Sequence, residues 1–270
     1  MSMQTISPYP KISIVTPSFN QAPFLEETIR SVVSQEYPDL EYVVMDGGST
    51  DGSVEIIRRY EKQIAHWQSG SDDGQSDALR RGFTRSSGEI LAWLNSDDTL
   101  APGILIAVGG YFSSHPDIDV VYGNVNLVDP AGEPLYTAYP LLDLRNLIYE
   151  NQFIPQQAMF WRRELYERVG GVNPKLRFAM DFDLVMKFLL AGARIAKIPR
   201  VLANYRFHPA AKSSTIRNVM EAELVDTISR YYPEILSESA GIRFVKKLWF
   251  RGIRFLKEPG NFVSAVRSRM

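Results

Sequence analysis

Three apolar, β-branched runs constrain this chain more than any other feature, because each ends in polar or acidic residues and is divided from the next by a segment of helical period. They are KISIVTPS at 11–18, LEYVVMD ending at Asp46, and EILAWLN, which leads into Ser96, Asp97 and Asp98. Between the first two, Phe24, Leu25, Thr28, Ile29, Val32 and Val33 recur at threes and fours, predicting an amphipathic helix begun near Pro23. GGSTDGS supplies turn and cap residues ahead of a second helical pattern at 54–60. A short segment at 66–69 and a helix over 75–85 precede the third run. Buried strands alternating with helices predict right-handed βαβ units: an α/β fold whose mixed, mainly parallel sheet is flanked by helices. Ligands of such sheets sit beyond the carboxyl ends of the strands, which brings residues 16–20, Asp46 and residues 95–98 to one rim.

From about Pro102 the pattern turns α+β. A helix to about residue 114, a strand at 118–126, a hairpin turn at DPAGE (129–133), a helix at 181–191, a strand at 194–199 and a helix at 218–231 are expected. No Gly/Ser-rich or Pro-rich linker divides the chain, so one continuous domain with a C-terminal helical appendage is predicted. At 270 residues and 45% hydrophobic content it can bury a substantial core. A formal net charge of -1 gives no global reason to expect nucleic acid as a partner. The chain has no cysteine, which removes disulfides, thiolate metal sites and a cysteine nucleophile together. MSMQTISPYP does not read as a secretory leader, and no window approaches a membrane span, so a cytoplasmic chain is expected.

Asp46, Asp73, Asp97 and Asp98 come from separate elements yet are expected near one rim. Such a concentration of negative charge costs stability unless a cation or hydrogen-bond donors offset it. A hard divalent cation held by oxygen ligands would also neutralise a departing diphosphate. The alternative for the adjacent Asp97 and Asp98 is a cap on the following helix.

The stretch 12–99 resembles the family 2 glycosyltransferases with the A-type nucleotide-sugar-binding fold. The likeness rests on SIVTPSFNQAPFLEETIRSVVSQ, EYVVMDGGSTDGS, SDDGQSDALRRGF and GEILAWLNSDD, in the family's order and spacing, and continues through FAMDFDL and YRFH to about residue 215. It implies a glycosyltransferase domain over 1–215, with a nucleotide-binding part at about 10–100, an acceptor part at about 101–215, and a C-terminal helical region at 216–270. It also implies a nucleotide-sugar donor, UDP ahead of GDP, Mn²⁺ or Mg²⁺, and inversion at the anomeric carbon. Carried over residue by residue, Thr16, Pro17 and Phe19 match the loop against the base, and Asp46 the carboxylate that accepts from the base N–H. Asp73 and Asp77 match the segment lining base and ribose, with Arg81 a nearby positive side chain. Asp97 matches the residue facing ribose and sugar, and Asp98 the direct metal ligand.

An inverting transfer needs a general base within reach of the acceptor hydroxyl. Asp181 aligns with the family's basic carboxylate; by position it would also serve as a helix N-cap, with Asp183 turned away or supporting it. Met180 departs from the common pattern, which has an acidic neighbour there. His208 resembles the histidine that closes over the diphosphate and metal, and imidazole suits Mn²⁺ better than Mg²⁺; a surface role is the alternative. The polar segment running to Ser214, with Lys212, suits a mobile lid. Gln156 in FIPQQAMFWRRELYERVGG is expected to touch an acceptor sugar, and Trp161 to do so or to join the core.

Residues 241–270 carry eight Lys or Arg against one acidic residue, interleaved with aromatic and aliphatic side chains. That spacing suits either peripheral contact with the inner face of a membrane or packing on the domain. The acceptor expected is a saccharide or lipid-linked saccharide of bacterial surface-glycan assembly. Two rivals are a sugar-phosphate nucleotidyltransferase, which would want a glycine-rich loop where TPSFNQAPF stands, and a non-catalytic nucleotide-sugar or carbohydrate binder of the same fold.

Overall fold

The computed structural model describes residues 9–150, 154–212 and 216–257. Strand β1 (Ile12–Ser18) leads into helix α1 (Ala22–Val33), whose first turn holds a proline where the missing N–H costs nothing. Then follow β2 (Leu40–Asp46), α2 (Ser53–Arg59), β3 (His66–Ser69), α3 (Gln75–Arg85) and β4 (Ile90–Trp93). These strands pair in parallel in the order β3-β2-β1-β4, with Ser18 beside Asp46 and Asp46 beside Ser69. The strand ends therefore finish level. Hydrogen bonds from Gly47 N to Ser18 O (2.8 Å) and from Gly70 N to Asp46 O (3.0 Å) carry the register just past them.

Next come β5 (Thr99–Leu100), α4 (Ile104–Ser114), β6 (Val120–Val128), β7 (Pro134–Ala138) and α5 (Leu144–Glu150). A single 3₁₀ turn (Gln156–Ala158) precedes β8 (Met159–Arg162), α6 (Arg163–Arg168), α7 (Met180–Leu190) and β9 (Ile195–Arg206). Helices α8 (Arg217–Tyr231), α9 (Glu234–Ser237) and α10 (Ala240–Lys257) end the described chain. The sheet order is β3-β2-β1-β4-β8-β6-β9-β5, with β7 hairpinned onto β6. Strand β9 does not stop at Pro199 as expected but runs on to Arg206. The β6 register jumps from Gly123↔Ile198 to Asn124↔Val201, and this bulge bypasses the proline, which has no N–H to give the ladder. It takes up three residues of β9 and so sets Arg206 opposite Val128 at the rim.

The strands are apolar throughout because both faces are covered. Ile12, Ile14, Tyr42, Val44 and Ile90 pack with Leu25 and Ile29 of α1 and with Leu105 and Val108 of α4. On the other face, Val15, Val43, Met45, Leu91 and Trp93 pack with Leu79 and Phe83 of α3 and with Phe182 and Met186 of α7. Trp161 is wholly buried there, edge-on to Trp93 at 5.5 Å, which makes it core and not an acceptor platform. The expected boundary near residue 215 is not a break in packing. Leu224 and Ile228 of α8 lie on this second core, and Tyr231 donates a 2.9 Å hydrogen bond to the Asp183 carboxylate. The end of the expected appendage, residues 258–270, lies outside the described residues.

Helix α3 approaches β1 closely at Gly82, where a Cβ would overlap the Val15 and Met45 side chains. Alanine at position 82 would gain about 1 kcal/mol of helix propensity, but forcing apart a β-branched strand residue costs about 1–3 kcal/mol. Gly82→Ala is therefore expected to lower unfolding free energy in a urea titration; a more stable variant would contradict this packing.

Candidate functional site

Beyond the carboxyl ends of β1 and β4 lies a cleft of about 850 Å³, within the range of small-molecule sites. Pro17, Phe19, Asp72, Asp73, Asn95 and Asp97 line it from the first half of the chain, and Gln156, Gln157, Arg177, Phe178, Asp181 and Lys212 from the second. Phe19 is 60% exposed at its mouth, an apolar face with no protein partner of comparable size. Thr16, expected beside it, faces the other way. On β1 it shares the side of Ile12 and Ile14, is fully buried, and accepts a 3.0 Å hydrogen bond from Tyr42.

The carboxylates divide into those that face the cleft and those that hold it together. Asp46 accepts from the N–H groups of Gly48 and Ser49 and from the hydroxyls of Ser49 and Ser69, so it shapes the loop after β2 and does not line the cleft. Asp77 is buried and paired with Arg80 (2.8 Å) and Arg81 (2.6 Å), which also uses up the positive charge expected of Arg81. Asp98 is 1% exposed; its Oδ1 accepts from the Arg206 N–H at 2.9 Å, and burial, then the charge of Asp97, hold its carboxyl well above the ordinary range. Its Oδ2 is equally buried and has no hydrogen-bond partner among the described residues, an acceptor that a cation could satisfy. Asp97, one residue earlier, is the member of the pair that lines the cleft, with His208 Nε2 3.1 Å from its Oδ2. Asp72, not singled out in the sequence, lies in the cleft wall beside Gly47, and burial, with Asp77 and Asp46 nearby, raises its pKa.

Arg206 sets this arrangement. Its guanidinium is buried, donates to the carbonyls of Asp97 (3.0 Å) and Pro130 (2.9 Å), and pairs with Glu27 of α1. Its flat face lies 5.1 Å over Phe24, whose ring also packs on His208 at 4.6 Å. Among the described residues no group of three or more His, Cys, Asp or Glu converges as a closed metal cage. Asp97 Oδ2 and His208 Nε2 bring one oxygen and one nitrogen together beside the orphaned Asp98 Oδ2. Such a set fits a divalent cation whose remaining positions go to phosphate oxygens and water.

A family model described as "Glycosyl transferase family 2" matches residues 13–170. The chain belongs to glycosyl transferase family 2. An uncharacterized glycosyltransferase of Nostoc sp. (strain PCC 7120) is 30% identical over 218 residues, covering 74% of this chain and 66% of that protein. In fold the chain is similar to residues 1–349 of S. aureus TarS in complex with UDP-GlcNAc, at TM-score 0.65 and 18% identity over 91% of this chain and 72% of that one. It is also similar to the mannosyltransferase PcManGT from Pyrobaculum calidifontis in complex with GDP-Man and Mn²⁺, at TM-score 0.57 and 19% identity, covering 96% and 84%.

In this family 2 glycosyltransferase the second wall of the cleft is organised by groups outside the matched segment. Asp181 opens α7 and faces the cleft; burial pushes its pKa up to about 6, against an ordinary 3.8. Asp183 turns away, buried and paired with Lys187 at 2.7 Å. The helix start is capped from α8: Glu223 accepts from the N–H groups of Arg177 (2.8 Å), Phe178 (2.8 Å) and Ala179 (2.9 Å). Sequence reading missed Glu223, since nothing local marks a carboxylate as the cap of another helix.

A chain of amides crosses between the walls. Lys212 Nζ donates to Gln75 (2.8 Å), Gln75 to Asn95 (2.8 Å), Asn95 to Gln156 (3.3 Å), and Gln156 to the Trp93 carbonyl (2.6 Å). Gln156 thus braces β4 through one amide N–H while its side chain also lines the cleft. The neighbouring Gln157 is buried, lines the cleft, and keeps an Nε2 with no acceptor among the described residues. Lys212 has its pKa lowered to about 8, by burial above all. Residues 213–215, the end of the expected lid, lie outside the described residues.

Two outcomes follow for stability. Glu223→Ala removes the α7 cap and is expected to cost about 1–2 kcal/mol, read as a fall in melting temperature. For Asp181, the folded-state pKa lies above the unfolded one, so its stability contribution is complete below about pH 4 and is lost as pH rises through about 6. Asp181→Asn should therefore leave the melting temperature unchanged near pH 4 and raise it at pH 8; no pH dependence of the difference would place the carboxylate in water.

Proposed function

We propose that this enzyme transfers a sugar, with inversion, from a nucleotide diphosphate, UDP ahead of GDP, to a hydroxyl of a saccharide or lipid-linked saccharide. The observation that carries this reading is a single cleft in which the Asp97–His208 pair stands on one wall and Asp181, with its raised pKa, on the wall built by α7. The nucleotide sugars bound to TarS and PcManGT, and the Mn²⁺ of the latter, support the donor class and the cation. Asp97 and His208 would hold Mn²⁺ or Mg²⁺, and when bound the ion would supply positive charge to the leaving diphosphate.

The protein's own groups account for the rest. Pro17 and Phe19 offer the base an apolar face, and Asp73 stands on the same wall. Lys212, largely cationic at neutral pH with a pKa of about 8, sets a positive charge inside the cleft. Asp181 accepts the acceptor hydroxyl's proton as the new bond forms from that oxygen to the anomeric carbon. The bond from the anomeric carbon to the diphosphate oxygen breaks in the same displacement, and its electron pair leaves with the diphosphate. A carboxylate with a pKa of about 6 is ionised at neutral pH and more basic than an ordinary one, as a general base should be. Gln157 Nε2 is placed to donate to a sugar oxygen in the cleft.

The reading is tested with UDP- and GDP-sugars, with and without Mn²⁺. Mn²⁺ should strengthen UDP binding in thermal shift for the parent and not for Asp97→Ala. Asp181→Asn should keep that binding while transfer falls by about 10²–10⁴-fold, and the parent's kcat/KM should decline as pH drops through about 6. Transfer by Asp181→Asn at the parent rate would remove the base; nucleotide binding without transfer or hydrolysis across a donor panel would make the protein a binder.

A further inference from the structure

Helix α10 is joined to the domain by its polar side. Phe250 stacks on Tyr149 of α5 at 5.4 Å, with the Arg145 guanidinium 5.9 Å over the Phe250 ring. Lys246 donates to Glu238 (2.5 Å) and to the Tyr149 hydroxyl (3.1 Å). An ordinary surface helix would turn its apolar stripe inward at such a junction. Here Ile242, Phe244, Val245, Leu248 and Trp249 are all more than half exposed, Trp249 at 68%. Their spacing of three, four and seven residues gathers them on one arc of the helix, away from Lys246 and Phe250. Lys247 is exposed next to the edge of the arc at Phe244, whereas Arg243 lies on the opposite side, with Phe250 and Glu238. A contiguous apolar strip of this size in water marks a contact surface.

We propose that this face of α10 lies in the plane of an anionic lipid bilayer, with Ile242, Val245, Leu248 and Trp249 entering the headgroup and acyl boundary and Lys247, at the edge of the arc, meeting acidic headgroups. Charge selects this occupant. Residues 241–270 hold eight basic residues and one acidic, so two copies packed face to face would bring like charges together, whereas anionic headgroups neutralise them. The indole of Trp249, apolar in body with one N–H, suits the depth of the headgroups. Among the described residues no helix is long and apolar enough to cross a membrane, so the contact is in-plane. It does not depend on the transfer reaction and is tested apart from it.

The full chain is mixed with vesicles of phosphatidylcholine alone and of phosphatidylcholine with about one third phosphatidylglycerol, and sedimented. Expected are binding to the anionic vesicles only, weakening as ionic strength rises, and a loss of about tenfold or more in the double variant Leu248→Glu/Trp249→Glu. Both substitutions fall on exposed positions and should leave the melting temperature unchanged. Should the variant fold poorly, quenching of the parent's tryptophan emission by brominated phosphatidylglycerol reads the same contact without any substitution. The proposal is overturned if the parent stays in the supernatant with anionic vesicles at low salt, if the double variant binds equally, or if brominated lipid quenches nothing. It is also overturned if the parent is a dimer that the double variant dissociates, since the face would then join two copies.

Discussion

The geometry of the cleft depends on the tie between the Asp97–Asp98 turn and the end of β9. Asp98 gives a carboxylate oxygen to the Arg206 N–H, and Arg206 returns its guanidinium to the Asp97 carbonyl while reaching Pro130 and Glu27. Asp98 and Arg206 are buried, so removing either would strand the other away from water, a loss on the order of 3–5 kcal/mol, whereas Glu27 is 57% exposed and contributes less. Fastened in this way, the two segments cannot slide, and the side chains on either side of the tie, Asp97 and His208, are presented together. The bulge opposite Pro199 is what delivers Arg206 to that position.

The same logic sorts the remaining carboxylates. Asp46, Asp77, Asp183 and Glu223 each meet several donors or a cation of the protein itself, and each holds a loop or a helix start. Asp97 and Asp181 border the cleft and retain capacity for a ligand. Keeping them there costs stability, which the surrounding satisfied network offsets, and the raised pKa of Asp181 is the clearest sign of that cost.

Much of this was legible in the residues. Uninterrupted apolar strands, proline-opened and glycine-punctuated helices and the DPAGE turn express local rules, and the parallel half followed from them closely. The identity of the side chain that faces the cleft did not. In Asp97–Asp98 the adjacent carboxylates point to opposite sides of a turn, and only the register of β9, set a hundred residues later, decides which is buried. Thr16 differs from expectation for a similar reason: the strand pleat turns its hydroxyl onto Tyr42 and away from the cleft. Glu223 and Asp72 gave no signal because their partners are distant in sequence or unremarkable locally.

The cap on α7 has a consequence for how the protein is made. Glu223 lies more than forty residues beyond the backbone groups it fastens, and Tyr231 farther still from the carboxylate it supports. As the chain leaves the ribosome, the parallel half can collapse before the rest, since its four strands all lie within residues 12–93. The segment leading into the helix that carries Asp181 keeps unmet N–H groups until the chain through residue 231 has emerged, so a nascent or prematurely terminated chain would hold one formed wall of the cleft beside an unfinished second one.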